Sequence, residues 1–150
     1  PQGFPGKETL VAQAGIQDEA TAVQDAMVAE LTHLIGQDPM RRFIPFVQMY
    51  EFEALLFSDP EAFANGVDRA ALSKPLSAIS AQFESPEHIN NSPVTAPSKR
   101  IEALMADYQK PLMGTLAALE VGLDVMRAKC GLFNGWLTRI ESLLVTNDAL

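Results

Sequence analysis

The stretch "FIPFVQMYEFEALLF", residues 43–57, decides how this chain is read. Its first half, Phe43 to Tyr50, is rich in aromatic and branched residues and apolar on both faces. That is the pattern of an inner strand in a covered, mostly parallel sheet. Its second half changes to helical spacing, and Glu51 and Glu53 stand at the join. Pro45 donates no ladder hydrogen bond, so it belongs at the start of such a strand or beside a weaker neighbour.

Two readings of the glutamates follow from the backbone they sit on. If residues 51–53 stay extended, both side chains point to one face, about 6–7 Å apart along the strand. Carboxylates so placed suit a shared divalent cation, and magnesium takes one or two carboxylates plus water and substrate phosphates. Open α/β sheets bind ligands at the carboxyl ends of their strands, where this pair would stand. If the residues are helical, side chains two apart diverge by about 200°. They are then solvated helix-start acids favoured by the dipole.

Working outward, the spacing predicts a helix from about Gln17 to Ile35, with Val23, Met27, Leu31, Leu34 and Ile35 on one stripe and Gly36 as its stop. After residue 57, "SDPEAF" has capping-box spacing between Ser58 and Glu61, with Pro60 in the first turn. Leu76, Ile79 and Phe83 mark a short helix, and Ser85-Pro86 opens a single turn in a polar connection. Three further stripes follow: Ile101, Leu104, Met105 and Tyr108; Leu112, Leu116, Leu119 and Leu123; and Phe133, Trp136, Leu137, Ile140, Leu143 and Leu144. Each reads as core rather than a cofactor box. A lone strand cannot satisfy its own backbone polar groups. Partners for residues 43–50 are therefore expected from a weaker segment such as "ETLVA" (8–12), from another chain, or from sequence upstream of Pro1. The opening "PQGFPGKE" reads like a loop inside a longer protein. The alternative is a small helical domain in which residues 43–50 form a buried helical segment.

A second candidate site lies in "NNSPVTAPSKR", residues 90–100. Thr95 or Ala96 can precede a helix with Pro97 in its first turn, so that Ser98, Lys99 and Arg100 gather at a helix N-terminus able to hold a phosphate. Capping chemistry in an Asn/Ser/Pro-rich loop explains the same residues without a ligand. No nucleophile–base arrangement is visible.

Bulk properties narrow the classes. The chain has 150 residues, 47% hydrophobic and 20% charged, as expected of one globular domain over residues 1–150. Eleven basic against nineteen acidic residues give a net charge of −8, which opposes adhesion of the whole surface to nucleic acid. The basic residues concentrate late, however, from Lys99 to Arg139. The single Cys130 and the distant His33 and His88 make neither a disulfide nor a zinc site. No apolar run is long enough for a membrane helix, and a reducing, cytoplasmic location is expected.

Together, "FIPFVQMYEFEALLFSDPEAF", "INNSPVTAPSKRI" and "GLDVMRAKCGLFNGWLTRIESL" resemble a bacterial family of uncharacterised TOPRIM-like proteins, the DUF4276 family. The resemblance runs from "GFPGKE" almost to the C-terminus. It implies an α/β, TOPRIM-like fold, here a helix-rich C-terminal portion with a small, mostly parallel sheet whose first strands lie upstream. It further implies acidic residues at strand ends that bind magnesium for phosphodiester chemistry, an ABC/AAA-type ATPase encoded alongside, and work on nucleic acid in defence against foreign DNA. Glu51 and Glu53 match the third acidic element of the family, which commonly reads His-Glu-Phe-Glu where this chain has Tyr50-Glu51-Phe52-Glu53. On this reading Glu51 and Glu53 are metal ligands and catalytic, and Ser98, Lys99 and Arg100 steady a phosphate. The competing expectation is a non-catalytic interaction or regulatory subunit, its helices docking the ATPase and its carboxylates structural.

Overall fold

The structure is a computed structural model that describes residues 15–90, 92 and 94–145, with side chains described as far as residue 143. Among these residues there is no strand. The helices are α1 (Ile16–Ile35), α2 (Gln37–Met40), α3 (Glu53–Leu56), α4 (Pro60–Gly66), α5 (Ser73–Ser80), α6 (Pro97–Leu104), α7 (Lys110–Val121), α8 (Leu123–Lys129) and α9 (Gly131–Val145). Short 3-10 turns cover Ala70–Leu72 and Pro86–His88. The α/β, TOPRIM-like expectation with its parallel sheet is therefore corrected: the described chain is helical.

The decisive correction falls on residues 43–50, which are irregular rather than extended in a ladder. Their apolar side chains are partly buried without a ladder. Pro45 is buried, and Phe46 stacks on Trp136 with ring centroids 4.9 Å apart. An extended segment becomes a strand only when a neighbour pairs its amides and carbonyls, and no described segment does so. "PQGFPGKE" and "ETLVA" lie outside the described residues, as do Asn91 and the side chain of Leu144.

The chain divides into two compact units, one of Pro1–Met49 with Gly135–Leu150 and one of Tyr50–Asn134. In the first, α1 carries Asp18 and Glu19 in its first turn and ends at Gly36, whose φ of 82° lets its amide close onto the Thr32 carbonyl.

The second unit holds the main core. Leu55, Leu56, Phe57, Phe63, Leu76, Ile89, Ile101, Met105, Ala117, Val121, Met126 and Cys130 are all buried together. Helix α4 packs on α7 and α5, and α3 packs on α6 and α7. The approach of α4 to α7 depends on Gly66: a Cβ there would stand 2.8 Å from the Leu116 carbonyl oxygen and 2.9 Å from the Ala117 Cα. Phe63 meets Phe57 edge-on, with centroids 6.2 Å apart. The cap of α4 is Asp59 and not Ser58: the Asp59 carboxylate accepts from the amides of Glu61 and Ala62, both at 3.0 Å. Ser58 turns inward to Cys130 instead, at 3.4 Å.

One expected core stripe is also corrected. Leu112, Leu116, Leu119 and Leu123 are exposed, while Gly114, Ala117 and Val121 form the buried face of α7. Small residues win that face because α4 approaches it closely, as Gly66 requires.

Candidate functional site

The unit Tyr50–Asn134 places two of the sequence-derived candidates side by side by an unexpected route. Glu51 precedes α3 and is not helical, so the divergence of residues two apart in a helix does not apply to it. Glu53 opens α3 and is buried, at 4% exposure. Both carboxylates turn to the same ammonium: Lys110 Nζ lies 3.0 Å from Glu53 Oε1 and 3.7 Å from Glu51 Oε1. Lys110 begins α7, and nothing in the residue spacing pointed to it.

Glu51 is also bound to the start of α6. The Ser98 amide donates to its Oε2 at 2.8 Å, and the Ser98 hydroxyl donates to its Oε1 at 3.0 Å. The residue before α6 is Ala96, which offers no side-chain acceptor, so a carboxylate from elsewhere in the fold fills the capping position. Burial pushes the Glu51 carboxyl upward, but the two Ser98 hydrogen bonds and the Lys110 charge outweigh it and hold the group below its ordinary range.

Beneath the pair, the hydroxyl of Tyr108 is buried without a hydrogen-bond partner. Burial first, then the charges of Glu53, Glu51 and Glu102, make its proton harder to lose. Gly114 leaves room for this hydroxyl, since a Cβ there would lie 3.0 Å from it. Burial pulls the Lys110 ammonium down, but its hydrogen bond to Glu53 and the charges of Glu53, Glu51 and Glu102 together raise it.

The remaining candidates face elsewhere. Lys99 pairs with Glu102 at 2.5 Å within α6. The Arg100 guanidinium donates from Nε to the Thr95 carbonyl at 2.8 Å and lies 5.0 Å over the Phe83 ring. Ser98 is thus joined to the Glu51–Glu53 pair, and Lys99 and Arg100 hold α6 and the loop before it. A serine–histidine contact does exist, Ser85 Oγ to His88 Nδ1 at 2.8 Å, but it closes the 3-10 turn at Pro86–His88.

A second buried carboxylate escaped the sequence reading. Glu87, 4% exposed, accepts from the amides of Leu132 and Phe133 at 3.0 Å each, capping α9 as Glu51 caps α6. No local pattern signals it, since acid and helix are far apart in the chain.

The residues do not fit a divalent cation as they are arranged. Glu51 has both oxygens engaged by Ser98, and Lys110 stands where the two carboxylates converge. Among the described residues, no three His, Cys, Asp or Glu side chains gather closely enough to hold a metal ion. Among the same residues, no helix is long and apolar enough to cross a membrane.

Fold and site together define an acidic, helical chain whose unit Tyr50–Asn134 answers its buried carboxylates from within, Glu53 by the Lys110 ammonium and Glu87 by two backbone amides. A sequence profile of the family described as Domain of unknown function (DUF4276) matches residues 8–141, and the chain belongs to that family. No curated protein and no solved structure matches it.

Proposed function

We propose that this chain is a non-catalytic interaction module, a docking or regulatory subunit for an ATPase of the ABC/AAA type in the cytoplasm. The observation that carries this reading is the row Leu112, Leu116, Leu119 and Leu123, exposed at 56, 43, 74 and 52%. Leu112, Leu116 and Leu119 share one face of α7, Leu123 opens α8 beyond the break at Gly122, and Leu119 and Leu123 line an apolar hollow with Phe52, itself 50% exposed. A contiguous exposed apolar surface of this kind marks interaction sites. The ATPase as occupant comes from the family resemblance. The carboxylates support the same reading, because Glu51 and Glu87 cap helices and Glu53 binds Lys110. The test is co-purification of the full-length protein with the ATPase encoded beside it. Leu116→Glu and Leu119→Lys are expected to abolish the complex; an undiminished complex with both variants would overturn the reading.

One observation favours a second reading, a magnesium-dependent nuclease or related phosphodiester-acting component in defence against foreign DNA. Glu51 and Glu53 do converge on one cation position, and Ser98, Lys99 and Arg100 would then serve a nucleic-acid phosphate. This reading requires magnesium to displace Lys110. Metal-dependent cleavage by the full-length protein, lost in Glu51→Gln and Glu53→Gln, would establish it; activity unchanged in both variants would remove these residues from the chemistry.

A further inference from the structure

We propose that Lys110 is the resident cation of the Glu51–Glu53 pair, occupying the place of a divalent metal and closing the pair to one. A single ammonium reaches both carboxylates, at 3.0 and 3.7 Å. Its position in α7 strengthens the argument. Lys110 is the first residue of that helix, at the positive end of the dipole, where a cation is disfavoured. No side chain caps α7 either, so helix formation alone gives no reason for a lysine there. The acid pair supplies that reason.

The charges around the pair agree. Glu53 is almost fully buried, and a buried carboxylate without a counter-charge is costly. The next acid along, Glu102, is paired with Lys99, which leaves Lys110 to neutralise Glu51 and Glu53. Glu51 cannot swing freely to a metal, because Ser98 holds both of its oxygens. A metal arriving here must expel a charged ammonium and share oxygens of Glu51 that already accept from Ser98. The ammonium is half-exposed while Glu53 is hidden and Glu51 only a quarter exposed, so the lysine is the group the site offers most to solvent. This inference does not depend on the partner reading, and it opposes the magnesium reading directly.

Calorimetric titration of the full chain with MgCl2 and MnCl2 tests it. Wild type is expected to give no saturable heat. Lys110→Met is expected to give saturable Mn2+ binding at least about tenfold tighter than the weakest binding the titration detects, since a positive charge within contact distance has been removed. Adding Glu53→Gln should abolish that gain. Saturable binding by wild type that weakens in Glu51→Gln or Glu53→Gln would overturn the proposal, as would a folded Lys110→Met that gains no affinity. Should Lys110→Met fail to fold, the acetylation rate of Lys110 in wild type and in Glu53→Gln, read by mass spectrometry, still decides. A rate unchanged by MgCl2 supports the resident lysine; an increase with MgCl2 that disappears in Glu53→Gln refutes it.

Discussion

Glu51 caps a helix to which it does not belong, taking both the amide and the hydroxyl of Ser98 across 47 residues of sequence. The bond to the amide is charge-assisted and lies on the helix axis, where the dipole adds to it. Replacing Glu51 with Gln is expected to lower unfolding free energy by about 1–3 kcal/mol, and Ser98→Ala by about 1 kcal/mol. In a double-mutant cycle by urea denaturation the two losses will be non-additive. Additive losses would show that the bonds do not act as one cap.

The same carboxylate makes stability depend on acid. Its folded-state pKa lies below the ordinary 4.5, so its contribution is fully present above that value and disappears as pH falls through the folded pKa. The wild-type urea midpoint is expected to fall more steeply below about pH 4.5 than that of Glu51→Gln. Parallel curves for the two proteins would contradict the assignment.

Gly66 sets the distance between α4 and α7. A methyl group there would press on backbone atoms of Leu116 and Ala117, which cannot rotate away. Gly66→Ala is expected to destabilise by about 1–3 kcal/mol, despite the better helix propensity of alanine. A thermal melt that rises instead would mean that the helices separate freely.

Glu87→Gln is expected to cost about 1–3 kcal/mol and to reduce hydrogen-exchange protection at the amides of Leu132 and Phe133. Protection unchanged at both amides would show that α9 needs no such cap.

Cys130 is buried, and burial, partly offset by the Ser58 hydroxyl, pushes its thiol up to about 11. At neutral pH it is expected to resist alkylating reagents in the folded protein and to react only on unfolding, since the thiolate is the nucleophile. Fast labelling of native protein would contradict this.

The periodic signals in the sequence were sufficient for the parts they govern locally. Alternation at 3.6 residues located α1 and α9 and the start of α5 and α6, though Phe83, Met105 and Tyr108 fall beyond the ends of the latter two; Gly36 ended α1, and Pro97 opened α6. These depend on neighbours within a few residues, which the sequence displays directly. The acid pair was legible as a candidate, because charged residues beside an apolar run stand out.

What the sequence could not decide depends on distant partners. Phe43 to Tyr50 has the composition of a strand, but composition does not make a ladder; another segment must pair with it, and no described one does. Leu112, Leu116, Leu119 and Leu123 have core spacing, yet the face of α7 that is buried was chosen by the close approach of Gly66. Whether Glu51 and Glu53 would meet each other, and on what, was settled by Ser98 and Lys110, each more than forty residues away. A side chain's own chemistry is written in the sequence, but the charge that neutralises it is chosen only when folding brings remote helices together.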